Sequence, residues 1–334
     1  MTTRRTLAAL LALSTTLPAA ARAQETDDAP GPTGPSFSGF VDSSLLTPVA
    51  GQPSGTRGVT FGLNQVELDA RVSPDANLEV GVDLNFFPAS PIATDDALLE
   101  QGFVTWSPES TEGLSLTIGK QNAPIGLESL DSIDIPAASG GLIWQFAVPS
   151  NLTGLFVEQE LPVGTGLLFA TADWDSPGAN GEVLVGARYD IEAGPLAVGL
   201  VGTHGPIPEV EADPTAERDT DIAGSARSTA DLTLTLSLDS ATVWGEFVYN
   251  TLGDDDATGW TVAGNYELSD SASVTGRLDQ LKKSYGTAVD ETDLTVAALL
   301  QTTPHLRTAI EVKHQLPEAG DAQTSAALQF IASF

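Results

Sequence analysis

Cysteine is absent from this 334-residue chain, and basic residues are scarce, with 14 lysines and arginines against 45 aspartates and glutamates. Without cysteine no disulfide can form, which excludes a small secreted domain held together by disulfides. The formal net charge of −31 repels nucleic acid, so we expect no nucleic-acid partner. This acidity would instead keep an exported protein soluble in salt or bias a channel toward cations.

Histidine is also rare, with only His204, His305 and His314 in the chain. A hydrolase needs a nucleophile, a base and an orienting acid or amide within reach of one another. None of the three histidines lies in a recognisable nucleophile motif, and scattered histidines without cysteine disfavour a metal site. We therefore expect no catalytic residue, no metal and no cofactor.

The first 23 residues have the features of a secretory signal peptide. Two arginines precede an apolar stretch, and Ala21-Arg22-Ala23 forms a small-x-small cleavage site. Cleavage near Ala23 would remove three arginines and change the net charge from −31 to −34. Residues 24–35 are acidic and rich in proline and glycine, which predicts a flexible lead-in. Residues 36–334 are predicted to form one domain.

Long apolar runs are missing as well, since no stretch after residue 23 has the roughly 18 consecutive apolar residues of a transmembrane helix. Apolar and polar residues alternate instead, which indicates β-strands with one apolar face and one polar face. This pattern predicts sixteen strands, at 36–45, 59–73, 76–87, 98–107, 114–121, 152–161, 165–174, 182–191, 195–203, 227–238, 241–250, 258–268, 271–281, 292–302, 306–314 and 322–334.

The connections between these strands alternate in length. Tight ones such as LPVG, LSDS and TTPH are followed by longer ones rich in glycine, proline and aspartate, at 46–57, 122–151, 204–226 and 282–291. This predicts an all-β fold, a transmembrane up-and-down antiparallel barrel with short periplasmic turns and longer extracellular loops. With an even number of strands, both ends of the chain meet on the short-turn side.

A barrel of about sixteen strands leaves a channel that side chains cannot fill, so the apolar face should contact lipid and the polar face should line water. A charge on the lipid face costs about 2–4 kcal/mol at mid-bilayer. Lys120 is the one exception that we find there, at a strand end where it can reach the interface. Two aromatic belts are expected on this face, with Phe86, Trp174 and Tyr249 at the outer ends and Trp106, Tyr189, Tyr266 and Phe334 at the periplasmic ends.

The chain ends on the alternating stretch SAALQFIASF, in which Phe330 and Phe334 share the lipid-facing side of the closing strand. A terminal phenylalanine resembles the C-terminal signature of bacterial outer-membrane proteins. This resemblance implies that the outer-membrane assembly machinery recognises Phe334.

Residues 101–126, QGFVTWSPESTEGLSLTIGKQNAPIG, resemble the OmpL-like group of outer-membrane β-barrel porins through Gly119-Lys120 and Pro124-Ile125-Gly126. The similarity continues through 142–156 and 169–176. It implies a channel for small solutes, without naming the solute. The chain also resembles phosphate-selective porins, which attract anions with lysine and arginine. It has only four lysines, however, and this argues against anion selectivity.

From these features we expect an outer-membrane porin, a water-filled channel for passive diffusion of small hydrophilic solutes or ions with a mild preference for cations. A passive pore selects by its width, lining charge and constriction. The charged residues expected on its inner wall are Glu67, Asp69, Arg71, Glu79, Asp83, Glu158, Arg188, Glu246, Arg277, Asp279, Arg307, Glu311 and Lys313.

The connection 122–151 is the longest and is too apolar for a solvated loop, as its stretch IPAASGGLIWQFAVP shows. Part of it is expected to fold into the barrel and narrow the channel, with Glu128, Asp131 or Asp134 at the constriction. The expected partners are outer-membrane lipid, small solutes or ions and the assembly machinery. Porins often form homotrimers, but no subunit interface is identifiable in the sequence.

Two other functions fit part of the pattern. A secreted soluble β-sandwich or adhesin would show the same alternation, with the apolar faces of two sheets packed together, but it would not explain the terminal phenylalanine or the alternating loop lengths. An outer-membrane barrel hydrolase is a less favoured alternative, because the histidines lack a recognisable catalytic setting.

Overall fold

The fold consists mainly of β-strands whose side chains alternate between two faces and whose backbones pair with neighbouring strands. The computed structural model describes residues 33–51, 58–86, 99–128, 130–172, 183–206, 226–285 and 288–334. The predicted signal peptide, most of the predicted lead-in and Trp174 lie outside these residues, as do large parts of the predicted outer loops.

The described residues contain sixteen β-strands and one short helix. The strands are β1 Thr33–Ala50, β2 Thr60–Asp75, β3 Leu78–Phe86, β4 Leu99–Trp106, β5 Leu114–Asn122, β6 Asn151–Glu160, β7 Thr165–Thr171, β8 Leu184–Ala193, β9 Leu196–Pro206, β10 Ala226–Ser237, β11 Ala241–Leu252, β12 Asp255–Ser269, β13 Ala272–Lys283, β14 Val289–Thr303, β15 Leu306–Pro317 and β16 Gln323–Ser333. The helix α1, Leu142–Phe146, lies between β5 and β6.

Each strand pairs antiparallel with its neighbours in the chain, and β1 pairs with β16 to close a single barrel. Phe40 stands opposite Ser333, and the backbone N–H of Phe334 donates to the carbonyl of Gly39 at 3.1 Å. The predicted sixteen-stranded antiparallel barrel, closed by its first and last strands, is therefore confirmed. The β-sandwich alternative is wrong, because the strands form one closed sheet instead of two facing sheets.

Several strands extend beyond their predicted bounds. β1 runs from Thr33 to Ala50 instead of 36–45, and β14 begins at Val289 instead of 292. Backbone pairing continues at these ends although the alternation of apolar and polar residues has stopped. Beyond the hydrocarbon layer an outward side chain has no need to be apolar, so the sequence pattern ends before the strand does.

The two faces of the sheet differ sharply in polarity. Large apolar side chains such as Phe61, Ile118 and Leu168 are 78%, 63% and 64% exposed, whereas Asp83 and Asp279 are almost completely buried. In a closed barrel the buried polar set faces inward and the exposed apolar set faces outward. This is the polarity of a barrel whose outer face contacts lipid.

Aromatic residues lie on the outward face at the expected strand ends. Phe86 and Tyr249 are exposed at the long-loop end, while Trp106, Tyr266 and Phe334 are exposed at the short-turn end. The Tyr189 hydroxyl donates to the carbonyl of Val163 in a short turn.

Charged side chains on the outward face are found near strand ends. Lys120, predicted there, donates from Nζ to the carbonyl of Leu99 at 2.7 Å. Lys282 and Asp290, which were predicted to lie in a loop, instead form an outward ion pair of 3.4 Å because β13 and β14 extend to include them. Within the described part of the chain, no helix has the length and hydrophobicity needed to cross a bilayer.

Glycine allows close packing at one inward position of the wall. Gly186 on β8 stands opposite Phe169 on β7, and the aromatic ring lies over the glycine. A β-carbon at position 186 would lie 2.1 Å from Cζ of Phe169. This arrangement places the ring against the wall, where it packs with Phe156, the ring centroids being 6.0 Å apart.

Candidate functional site

The segment 123–150 between β5 and β6 is called the internal segment below, and its described residues, 123–128 and 130–150, lie inside the barrel. Its backbone contacts Gln65 on β2, Asp231 on β10 and Glu311 on β15. These three strands are far apart around the wall, and only the interior gives access to all of them. The segment that was expected to fold inward therefore lies within the lumen.

Apolar contacts hold two parts of the internal segment against the wall. Leu142 and Ile143 of α1 are buried together with Val248 and Leu281 from β11 and β13. Near the start of the segment, Ile125 is buried among inward apolar side chains of β6, β7 and β9. The inward face was expected to be polar and to line water, but it is apolar where the segment packs. Fully burying one such side chain stabilises by about 1.5–3 kcal/mol.

Carboxylates of the wall accept hydrogen bonds from the backbone of the internal segment. Glu311 accepts from the N–H of Ala138 at 2.7 Å, from the N–H of Ser139 at 3.1 Å and from the Ser139 hydroxyl at 2.7 Å. Glu246 accepts from the N–H of Leu127 at 3.3 Å. Hydrogen bonds to charged acceptors are stronger than neutral ones, so these acids stabilise the path of the segment.

Basic side chains of the wall bind carbonyl oxygens of the same segment. Arg307 donates to the carbonyls of Ser132 at 2.6 Å and Ile133 at 2.5 Å. Arg188 donates to the carbonyl of Pro124 at 3.2 Å. Two of the bases expected to line the channel therefore bind the internal segment.

Glu128 is the most deeply placed acid of the internal segment. Its carboxylate accepts from Arg277 Nη1 at 2.9 Å and from the N–H of Gly141 at 2.5 Å, and Arg277 also donates from Nε to Asp279 at 2.8 Å. Burial raises the pKa of Glu128, although the Arg277 charge and the Gly141 N–H act in the opposite direction. Glu128, predicted at the constriction, is thus joined to Arg277 and Asp279, which were predicted on the inner wall.

Asp131 lies beside Glu67 on β2 and Glu100 on β4, and oxygens of the three carboxyl groups are all within 4.8 Å of one another. Burial raises the pKa of Asp131 to about 6; its hydrogen bond with Glu67 opposes this shift, and the charge of Asp134 adds to it. Asp134 itself is exposed. The three acids predicted for a constriction therefore occupy different environments, and only Asp131 joins this carboxyl cluster.

The other predicted lining residues are on the inward face. Glu67 and Asp83 are buried, while Asp69, Glu79 and Glu158 are half-buried. Bases and acids pair along the wall, in Arg71 with Asp83, Arg188 with Asp190 at 2.7 Å and Lys313 with Asp293 at 2.6 Å.

Sequence reasoning missed several inward polar residues. Asp231 and Asp293 follow the alternation of their strands, so parity alone could have found them. Glu100 could not be found in this way. The register shifts there, with Asp83 opposite Gln101 and Leu84 opposite Leu99, so Glu100 is the extra residue of a β-bulge and turns inward against the pattern.

A closed barrel with an apolar outer face, a polar inner wall and an internal segment has the architecture of an outer-membrane porin. A family model described as "Putative beta-barrel porin-2, OmpL-like" matches residues 37–304. The chain belongs to this family and is an outer-membrane β-barrel, as the resemblance of residues 101–126 predicted. None of the curated proteins matches the chain in sequence.

Solved structures of outer-membrane barrels are similar in fold. OmpF of Salmonella typhi, solved in complex with daunomycin, is 10% identical, with a TM-score of 0.69 over 90% of this chain and 97% of that one. OprB of Pseudomonas putida is 11% identical, with a TM-score of 0.67 over 90% and 94%. In-vitro folded OmpT of Vibrio cholerae, in a trimer form, is 14% identical, with a TM-score of 0.62 over 91% and 100%.

Proposed function

We propose that this protein is a passive channel that lets small hydrophilic solutes and ions cross the outer membrane, with a mild preference for cations. The observation that carries the proposal is the internal segment, which is anchored to the inner wall at Asp231, Glu246 and Glu311. A fixed segment inside a wide barrel sets the width and the charge of the path that solutes follow. We propose that the predicted lining residues line this path and that Glu128, Asp131 or Asp134 lies at its constriction.

The distribution of charge supports the cation preference. Arg188 and Arg307 donate to carbonyls of the internal segment, and Arg71, Arg277 and Lys313 pair with acids. The positive charge of these side chains is therefore largely compensated within the protein, and contributes little to the attraction of anions. The half-buried carboxylates of Asp69, Glu79 and Glu158 add negative charge on the inward face. A surplus of carboxylates near the path favours cations.

Two measurements test this proposal. Liposomes containing the folded protein should swell in sugars and amino acids below a size limit, and a protein that supports no swelling at any solute size is not a channel. In planar bilayers with a KCl gradient, the reversal potential should indicate preference for potassium. This preference should weaken toward 1 M salt, where the screening length falls to about 3 Å. A clear chloride preference would refute the cation selectivity alone.

Passive diffusion requires no bond chemistry, and the histidines support a role without catalysis. His204 Nδ1 contacts Ser228 Oγ at 2.8 Å and His314 Nδ1 contacts Thr324 Oγ1 at 2.8 Å, both on the outward face. His204 lies in β9, although a loop position was predicted. Lipid-facing pairs of this kind are poorly placed for a hydrolase, which remains the disfavoured alternative.

We also propose how the protein is exported and assembled. A homotrimer is supported by the fold similarity to OmpT, one structure of which is a trimer form. Cross-linking in the native membrane tests this, and a ladder that stops at the monomer contradicts it. The signal peptide is proposed to be cleaved near Ala23, which sequencing of the mature N-terminus checks. Phe334 is proposed as the residue that the assembly machinery recognises.

A further inference from the structure

Three carboxyl groups from separate parts of the chain meet where the internal segment touches the wall. Glu67 comes from β2, Glu100 from β4 and Asp131 from the internal segment, and oxygens of all three lie within 4.8 Å of one another. Glu67 and Glu100 are only 4% and 3% exposed. Three ionised carboxylates so close together, two of them on buried side chains, would repel one another strongly and would require compensation.

Ion pairs of the described residues do not supply this compensation. They engage Asp83, Asp190, Glu128, Asp279, Asp290 and Asp293, and none of these belongs to the cluster. Neutral amides contribute instead. Asn85 Nδ2 donates to Glu67 Oε2 at 3.0 Å and to Glu100 Oε2 at 2.5 Å, and Gln65 Nε2 donates to Glu67 Oε2 at 3.1 Å.

Buried oxygens around the cluster remain without donors. Among the described residues, Glu100 Oε1, Asp131 Oδ1 and Asn85 Oδ1 accept no hydrogen bond. Asn85 is 1% exposed; its Nδ2 donates to both glutamates, whereas its Oδ1 has no donor. A buried oxygen without a donor is rare in a folded protein and calls for an ion or water that satisfies it.

We propose that Glu67, Glu100 and Asp131 bind a calcium ion that fastens the internal segment to the barrel wall. Calcium takes carboxylate and amide oxygens at about 2.3–2.6 Å, so two oxygens on opposite sides of one ion lie about 4.6–5.2 Å apart. Oxygens that all lie within 4.8 Å of one another are therefore close enough to share one such ion. Rotation of the Asn85 amide would exchange its nitrogen for its oxygen and add a fourth ligand from the wall.

The chemistry of the ligands favours calcium over other cations. Magnesium requires near-ideal octahedral geometry at about 2.0–2.1 Å and keeps several waters, which suits a narrower set of oxygens. Zinc and copper prefer imidazole or thiolate ligands, and this cluster has neither. The expectation that the protein has no metal site was based on histidine and cysteine, and it did not consider carboxylates brought together by a bulge and an internal segment.

Calcium binding would connect Asp131 to two strands of the wall and so restrict the internal segment near residues 130–134. The competing state is one in which the carboxyl groups share protons and bind no metal. These two states differ in a direct measurement of binding, which does not depend on whether the barrel conducts solutes.

The test is isothermal titration of calcium chloride into the full-length protein, folded in detergent and stripped with a chelator. We expect one calcium per chain, with affinity weakened about tenfold or more in Glu100→Gln and Asp131→Asn, because each removes one charged ligand. Glu192→Gln, in an exposed position at the end of β8, is the matched control and should bind as the original protein does. Magnesium is titrated in parallel.

Two results would overturn the proposal. One is the absence of calcium binding up to 5 mM, a limit beyond the roughly 0.1–1 mM affinity of extracellular calcium modules, which would leave shared protons as the compensation. The other is equal binding by the original protein and both cluster variants, which would mean nonspecific attraction to an acidic surface. Asp131 lies outside the strands, so we expect Asp131→Asn to fold. If Glu100→Gln fails to fold, the comparison with Asp131→Asn alone still decides the test.

Discussion

Arg277 of the barrel wall and Glu128 of the internal segment form an ion pair of 2.9 Å with side chains that are only 1% and 7% exposed. The same guanidinium binds Asp279 at 2.8 Å. One base therefore compensates two buried acids, one on each side of the junction between wall and segment. Such an arrangement depends on all its members, because removal of one leaves the others charged and away from water.

We predict that Arg277→Met destabilises the folded barrel by about 3–5 kcal/mol, the usual cost of breaking a buried ion pair from one side. The midpoint of urea unfolding in lipid or detergent measures this loss. Lys282→Met is the matched control. Its ion pair with Asp290 has side chains that are 74% and 32% exposed, so about 0–1 kcal/mol is expected. Equal losses in the two variants would contradict the compensating role of Arg277.

Glu311 accepts hydrogen bonds from two adjacent residues of the internal segment, Ala138 and Ser139. We predict that Glu311→Ala loosens this part of the segment and costs about 1–3 kcal/mol, because partly buried donors lose their acceptor. Single-channel recordings should show more frequent current fluctuations than the original protein does. Glu318→Ala, an exposed position beyond β15, should leave the recordings unchanged. A quiet Glu311→Ala channel would show that the segment is held without this carboxylate.

Gly186 lies beneath the ring of Phe169, and a β-carbon there would be 2.1 Å from the ring. We predict that Gly186→Ala destabilises by about 1–3 kcal/mol through overpacking. Phe169→Leu should reduce the loss when the two changes are combined, which a double-mutant cycle measures. Gly202→Ala is the control, since a β-carbon at that position would meet nothing within 4 Å. A neutral Gly186→Ala would mean that the ring moves aside at little cost.

The strands and the closure of the barrel could be predicted because their signal is local. Leu78–Phe86 carries its two faces in consecutive residues, and the burial of β3 follows that alternation. Phe334 could be assigned to the closing strand for the same reason, because β16 keeps its parity to the end of the chain.

The junctions of the internal segment could not be predicted in this way. Arg277 and Glu128 are 149 positions apart, and Arg307 and Ser132 are 175 apart. Contacts across such distances in sequence leave no periodic pattern. Glu100 was missed for a different reason, because a bulge reverses the parity on which the prediction of inward residues relied.

Deletion of residues 128–140 tests the internal segment as a constriction. The two sides of the cut are close in space, because the Glu128 carboxylate accepts from the N–H of Gly141 at 2.5 Å, so the shortened chain can rejoin without distorting β5 or β6. The deletion also removes Glu128, a partner of Arg277, and the partners of Arg307 at Ser132 and Ile133, and water entering the widened lumen would solvate both guanidinium groups. We predict a rise in single-channel conductance of at least about twofold, since conductance follows the width of the narrowest part of the path. Heat-modifiable migration on gels verifies that the barrel has folded, and an unchanged conductance in a folded barrel would mean that the pore is narrowed elsewhere.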